Sequence, residues 1–388
     1  MIVENLPVPF DRRVWQEART LVKNGFGVSI VCPKNKSFNN PYEVLDGICI
    51  YRYQLPIHPR SYFGYALEYA VALFLWLRLS IRIFSKEPFQ VIHAANPPDL
   101  IFLIAGLFKI WHGTKFIYDH HDLCPELYLA KSHRKDPWYR LMLLLERVSI
   151  GMADVVISTN DSFRDIAISR GKKDPSKVVV VRSGVDIARF HHVNPLLQHK
   201  RGKRILVGYL GIIAKQDGVD LLVQVVSHIV KEMKRSDIAF TIVGDGPELE
   251  NIISLTRRLG LSEYILFAGP LYGDELLEIL SSCDICVACD PYNEMNDKST
   301  MNKTMEYMAL GKPMVHFDLK EGRHTAQSAS LYATPNDIVD MANKIVHLAD
   351  SPTLRMEMGK IGHERTESEL QWARVEPKLI EAYNLANI

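Results

Sequence analysis

Short, uniformly apolar runs alternate with amphipathic segments from one end of this sequence to the other. In the first half "GVSIVCP", "VIHAA", "KFIYDH", "ADVVIST" and "KVVVVRSG" read as fully buried strands, separated by helical patterns such as "DRRVWQEARTLVKNG" and "LIFLIAGLFKIW". The second half repeats this with "RILVGYLG", "AFTIVGDG", "YILFAGP", "DICVACD" and "PMVHFDL". Strands apolar on both faces belong to parallel sheets with right-handed crossovers and helices on either side. With 388 residues the chain exceeds one common core and suggests about two domains. The polar, basic, proline-containing stretch 186–204 is the expected linker. It sets a doubly wound α/β domain over 1–190 before a second over 200–370.

A composition of 47% hydrophobic and 23% charged residues is that of an ordinary globular protein. Six cysteines in such a length make no disulfide framework, which points to a reducing, cytoplasmic compartment. Cys283, Cys286 and Cys289 have a spacing reminiscent of iron–sulfur ligation. A strand points Cys286 and Cys289 to opposite faces, however, so a core strand is expected. Residues 1–200 hold 26 Lys and Arg against 18 Asp and Glu, while the remainder holds 20 against 27. A basic first half suits an anionic partner such as lipid head groups or a phosphorylated acceptor, and no nucleic-acid motif is present. The N-terminus, short, acidic and broken by prolines, shows no cleavable signal. The most apolar region, 65–84, is interrupted by Glu68, Arg78 and Arg82, too soon to span a bilayer. Two readings stand: a buried crossing helix, or an interfacial helix with Trp76, Arg78 and Arg82 at the head groups of the inner face of the cytoplasmic membrane.

In open α/β sheets ligands bind beyond the carboxyl ends of the strands, so the loops that follow strands are the candidates. In the first half these are "ENLPVPFDRR", "HAANPPD" and "DHHDLCPELY". In the second they are "GYLGIIAKQDG", "VGDGPELE", "AGPLYGDE" and "CDPYNEMNDKSTMNK". No Walker phosphate loop, G-x-G-x-x-G or D-x-D pair occurs. No metal site is expected at "DHHD", since adjacent histidines diverge. In "NDKSTMNKTMEYMALGKPMV" (296–315), Ser299, Thr300 and Asn302 are potential helix caps and Gly311 a helix stop. Lys303 and Glu306 then share a face near the helix start. Free N–H groups with a lysine make an anion site, phosphate being the usual occupant; the plainer alternative is a capped helix with an ion pair.

The segments "VVRSGVDIARF", "GYLG…DGVDLL", "VGDGPELE", "FAGPL" and "STMNKTMEYMALGKPMV", in this order, resemble the second domain of the retaining glycosyltransferases of family 4. "DRRVWQEARTLVKNGFGVSIVCP" and "YDHHDLCPELY" resemble the first domain of that family, notably its bacterial surface-polysaccharide members. The resemblance implies a GT-B fold of two Rossmann-like domains facing across a cleft, with a C-terminal helix at about 371–388 returning to the first. It also implies metal-independent transfer, without cofactor, from a nucleotide sugar to a glycan or lipid-linked acceptor.

Carried over residue by residue, Glu306 matches the glutamate that holds the nucleotide ribose. Where many members place a second glutamate, eight positions earlier, this chain has Lys298. Ile212 and Asp217 stand where many members carry an arginine and a lysine, leaving Lys215, Lys298 and Lys303 as the cations. His121, with His120 as the alternative, corresponds to the histidine that contacts the donor sugar. Gly211, Gly244, Asp245, Leu271, Tyr272, Ser299, Thr300, Met301 and Asn302 complete the expected donor site, Leu271 and Tyr272 lining the base. Arg12 and Arg13, at the start of the first helix, are the candidate acceptor contacts; a solvated helix face capped by Asp11 is the alternative. A nucleotide-sugar 2-epimerase or a degenerate partner subunit of the same architecture are the competing functions. The basic, apolar first half disfavours the epimerase, and Lys303, Glu306 and His121 favour activity.

Overall fold

The computed structural model describes residues 1–55, 62–191 and 193–388; His192, within the expected linker, lies outside them. The chain forms two units, one of Met1–Ser183 with Val375–Ile388 and one of Gly184–Arg374.

The first unit begins with α1 (Arg12–Lys23), β1 (Ser29–Pro33), β2 (Tyr42–Leu45), β3 (Ile48–Tyr53), α2 (Tyr62–Lys86) and β4 (Val91–Ala95). It continues with α3 (Phe102–His112), β5 (Lys115–His120), α4 (Cys124–Ser132), α5 (Pro137–Met152), β6 (Val155–Ser158), α6 (Asp161–Ser169) and β7 (Val178–Val180). β1 pairs parallel with β3, and β2 lies antiparallel at the edge. β4, β5, β6 and β7 follow one another in parallel, and Ile2 bridges the two groups through Val31 and Ala94. The buried runs "VIHAA" and "KFIYDH" are β4 and β5, paired in register from Val91 with Lys115 to Ala95 with Asp119.

In α2 the side chains of Ala72, Trp76, Ser80 and Ile83 are buried, while Leu67, Phe74, Arg78, Ile81 and Arg82 are exposed. Trp76 is therefore not an interfacial anchor: it packs edge-on against Tyr53, its ring centroid 6.4 Å away. Among the described residues no helix is long and apolar enough to cross a membrane.

The second unit runs β8 (Ile205–Leu210), α7 (Val219–Lys231), β9 (Ile238–Val243), α8 (Leu249–Arg258), β10 (Ile265–Gly269), α9 (Gly273–Ser282) and β11 (Ile285–Ala288). Then come α10 (Glu294–Lys298), α11 (Asn302–Ala309), β12 (Met314–Phe317), α12 (Lys320–Ala326), β13 (Ser330–Ala333), α13 (Ile338–Asp350) and α14 (Pro352–Arg365). All its strands are parallel, in the order β10-β9-β8-β11-β12-β13. The order reverses between β8 and β11, which is the ligand-binding switch point of a doubly wound sheet. Cys286 on β11 packs in the cluster with Met305 and Met308, and Cys289, just beyond the strand, joins the opposite cluster with Val287 and Val315. All six cysteines are free thiols. The stretch 186–204 belongs to this unit and buries Phe190. α15 (Trp372–Leu385) starts in the second unit, and from Val375 onward belongs to the first. There Glu376 accepts from Thr20 and Lys23, and Tyr383 Oη lies 2.9 Å from His93 Nδ1.

Candidate active site

In the second unit the carboxyl ends of β8, β9 and β10 are tied together by backbone. Gly211 N–H donates to Val243 O and Gly244 N–H to Gly269 O. Gly244 has φ +141°, and a Cβ there would lie 1.8 Å from Gly211 O, so only glycine lets these two loops approach. Ile213 N–H donates to Asp245 O, Gly246 N–H donates to Asp245 Oδ1 at 2.7 Å, and Asp245 is exposed. Lys215 and Tyr272 are exposed, and Leu271 packs against the core cluster that contains Leu276 and Leu277.

Lys303 stands on the first turn of α11. It is buried, and its Nζ lies 2.9 and 3.0 Å from the two carboxylate oxygens of Asp290, just beyond β11. The ammonium also lies over the Tyr209 ring, 4.8 Å from its centroid. A Cβ on Gly211 would be 3.6 Å from Lys303 Nζ, so the charge sits beside the Gly211 backbone at the switch point. Burial pulls the ammonium pKa down, but Asp290 with smaller contributions from its neighbours outweighs burial and leaves it raised. Burial, reinforced by Lys303, lowers His316 on β12 to about 3, so this imidazole is neutral. Tyr307 locks α11 in place: Leu210 N–H donates to its Oη, 2.7 Å away, and Oη donates to Val287 O.

The start of α11 differs from the sequence expectation. Its N-cap is Met301, which supplies no side-chain cap, and Asn302 is already its first residue. Ser299 instead ends the short α10, its hydroxyl donating to Met295 O. Asn296, through Nδ2, donates to Gln216 O and Pro291 O and thereby fastens α10 to the loop after β8. Lys298 pairs with Glu294 at 2.9 Å on the surface. Gly311 stops α11 as expected: it has φ +64°, its N–H donates to Met308 O, and Lys312 N–H donates to Tyr307 O. Thr300 is half-buried and Glu306 is buried on the first turns.

In the first unit the corresponding strand end is that of β5. Asp119 is fully buried, and His121 Nε2 lies 2.5 Å from its Oδ2. Arg13, expected beside Arg12 as an acceptor contact, is turned inward. Its Nε donates to His121 Nε2 at 2.8 Å, its Nη2 to Asp119 at 3.2 Å and its Nη1 to Val181 O at 3.0 Å. Arg12 remains exposed, and Asp11 caps α1 by accepting from Val14 N–H. Because both partners of His121 converge on Nε2, one tautomer bonds Asp119 and the other Arg13. His121 is not paired with Asp122; Asn96 Oδ1 instead accepts from the backbone N–H of both residues and shapes their loop. His120 points the other way, into the core, 3.4 Å from Glu146.

Glu17 and His93 complete this buried group. Glu17 Oε1 is 3.1 Å from Arg13 Nε, but that N–H is aimed at His121, and neither Glu17 oxygen has an aligned donor. Burial first, and Asp119 second, push the Glu17 carboxyl well above its ordinary range, which favours its protonated form. Burial raises Asp119 too, but Arg13 and His121 more than offset it and hold Asp119 well below the ordinary range. Burial lowers His93, which lies 3.3 Å from Asp119. Glu17, His93 and Asp119 are close enough to hold a metal ion, their ligand atoms all within 4.8 Å of one another. The Arg13 guanidinium already supplies a positive charge there. Asp290, Tyr209, Tyr307, Asn96 and Glu17 were not singled out from the sequence. The signal for Asp290 and Asn96 was present, since both stand in loops that follow buried strands.

Residues 11–189 match the family described as Glycosyltransferase Family 4, and residues 204–351 match that described as Glycosyl transferases group 1. The D-inositol 3-phosphate glycosyltransferase of Stackebrandtia nassauensis is 25% identical over 289 residues, covering 70% of this chain and 63% of its own. The chain thus spans less than two thirds of that relative. The sucrose-phosphate synthase of Thermosynechococcus elongatus superposes with a TM-score of 0.79 at 17% identity, over 99% of this chain and 97% of its own. Anabaena HepE in complex with UDP and glucose does so with a TM-score of 0.74 at 12% identity, over 99% and 98%. These structures share its fold, and with the two family matches spanning both units the chain belongs to glycosyltransferase family 4, with the two Rossmann-like domains of the GT-B fold.

Proposed function

We propose that this chain is a retaining, metal-independent glycosyltransferase that moves a hexosyl or related sugar from a nucleotide sugar to a glycan or lipid-linked acceptor in surface-polysaccharide synthesis. The observation that carries the reading is the cation at the switch point: Lys303, kept charged by Asp290, beside glycine backbone at the end of β8. An ammonium has three N–H groups, and Asp290 engages two of its directions, which leaves the third for a phosphate oxygen. Negative charge on a departing diphosphate is then met by Lys303 and the N–H groups near Thr300 to Asn302, in the role a divalent metal plays elsewhere. Glu306 accepts from the ribose diol, Leu271 and Tyr272 flank the base, Asp245 faces the donor, and Lys215 and Lys298 are accessory cations. His121, oriented by Asp119 and Arg13, takes the sugar contact, and Arg12 the acceptor. The likeness to a protein solved with UDP and glucose supports a nucleotide-sugar donor. A basic first half supports an anionic acceptor at the inner face of the cytoplasmic membrane.

Calorimetry of the full chain with UDP and GDP, followed by sugar release from the matching nucleotide sugars in excess EDTA, tests this. One nucleoside diphosphate is expected to bind, and turnover is expected to persist without metal. Absence of affinity for every nucleoside diphosphate would overturn the reading; binding without turnover or transfer would point to the degenerate partner.

A further inference from the structure

Three neighbouring helices of the first unit, α2, α3 and α5, present apolar side chains to solvent. Phe84 of α2 packs on Phe108 of α3 with centroids 5.4 Å apart, and Met152 of α5 lies against Gly106 of α3, so the three run in a row with α3 in the middle. On α2, Leu67, Phe74 and Ile81 recur every seventh residue, opposite the buried Ala72, Trp76 and Ser80. Leu103, Ile110 and Trp111 are exposed on α3, and Trp138, Leu141 and Leu144 on α5. Ile110 is 79%, Phe74 64% and Trp111 62% accessible, which is far more than scattered surface apolar residues require.

The charge on the same helices has one sign. Arg78 and Arg82 on α2 and Arg140 and Arg147 on α5 are exposed. The acids on the three helices are Glu68, which is half-buried, and Glu146, which is buried against Arg170 and His120. We propose that the α2–α3–α5 face docks in the plane of an anionic lipid bilayer, its Leu, Ile and Phe side chains entering the acyl boundary and its arginines meeting the head groups. Tryptophan and arginine at the rim of an apolar face fit that boundary. A second copy fits less well, because a self-complementary contact would set arginines against arginines. The proposal deepens the membrane part of the function above, and rests on it only for the meaning of the docking.

Flotation of the full chain with phosphatidylcholine vesicles, with and without phosphatidylglycerol, is the test. Recovery should rise with phosphatidylglycerol and fall in part with salt. Ile110→Glu with Leu144→Glu should reduce it by about tenfold or more, since both charges would be buried at the boundary. Nucleoside diphosphate binding should be unchanged in that variant, which also shows that it folds. Brominated lipids should quench the fluorescence of the unmodified chain, and Trp111→Phe should lessen the quenching. Unchanged flotation of the double variant, absence of quenching, or a lipid-free dimer that the double variant abolishes would overturn the proposal. Flotation without nucleotide binding would instead sink the glycosyltransferase reading and leave the docking surface standing.

Discussion

Each unit buries a cation at a strand end, but the two do so with different proton economies. In the second unit Lys303 faces one carboxylate, Asp290, and the pair is balanced. In the first unit Arg13 faces both Asp119 and Glu17, with the neutral His93 beside them. Two carboxylates against one guanidinium leave a surplus, and Glu17, whose carboxyl is raised well above its ordinary range, is the group placed to take up a proton. A balanced pair resists pH near neutrality, whereas a surplus acid titrates. The pH sensitivity of the chain should therefore lie in the first unit, and its sensitivity to the loss of a single charge in the second.

The largest effect is expected at Lys303. Lys303→Ala leaves Asp290 buried and uncompensated, which costs about 3–5 kcal/mol in a pair of this kind. Turnover should fall about 10²-fold as well, the typical consequence of removing one electrostatic group from a site. Urea unfolding and donor turnover separate the two losses. Lys303→Ala with Asp290→Ala should regain much of the stability and none of the turnover; recovery of both would reduce the pair to a structural contact.

Gly244→Ala comes next. Its Cβ would collide with Gly211 O at 1.8 Å in a backbone with φ +141°, so the loops after β8 and β9 must separate. A stability loss of about 1–3 kcal/mol is expected, together with weaker nucleoside diphosphate binding by calorimetry. Wild-type affinity in this variant would detach the glycine contact from the ligand site.

The pH comparison is read at two carboxyls of the first unit. Burial, then Glu68, raises Glu4 to about 7, and Glu17 is raised well above its ordinary value. An acid whose folded pKa is raised binds more protons folded than unfolded. Stability accordingly falls as pH climbs from the ordinary carboxylate value to the folded one, by up to about 1.4 kcal/mol per pH unit and group. Thermal melts against pH should show Glu4→Gln flattening this decline below about pH 7 and running parallel to wild type above it. Glu17→Gln should flatten it from the ordinary carboxylate range upward. Parallel curves throughout for Glu17→Gln would mean that this buried acid does not carry the surplus.

What the sequence revealed follows from the distance over which its signals act. β4 and β5 stand in the chain as "VIHAA" and "KFIYDH" because a strand buried on both faces must be apolar along its length. Gly311 was readable for the same reason: a helix stop is a local matter of φ and two hydrogen bonds. The start of α11 was not, because α10 ends directly before it and takes the Ser299 hydroxyl, and nothing local says which helix a hydroxyl serves. The Lys303–Asp290 pair was not legible because Asp290 lies thirteen residues upstream, across a strand end that only the sheet order brings near. Arg13 misled in the same way, its partners being 106 and 108 residues away. Trp76 was ambiguous on different grounds, since a helix apolar on nearly every side does not disclose which face it buries.

The smallest effect on stability is expected at Lys298, and its value lies in separating sugar from nucleotide. The residue ends α10 and pairs with an exposed Glu294, a contact of a kind worth about 0–1 kcal/mol. Lys298→Ala should accordingly shift the unfolding midpoint little. Lys298 stands eight residues before Glu306, where many family members carry the glutamate that holds the donor sugar. If the side chain meets the sugar here, Lys298→Ala should raise KM for the nucleotide sugar while the Kd for the free nucleoside diphosphate stays put. A matching loss in both would assign Lys298 to the diphosphate, alongside Lys303. No change in either would leave it a solvated partner of Glu294, and the sugar would then have to be held by groups other than this lysine.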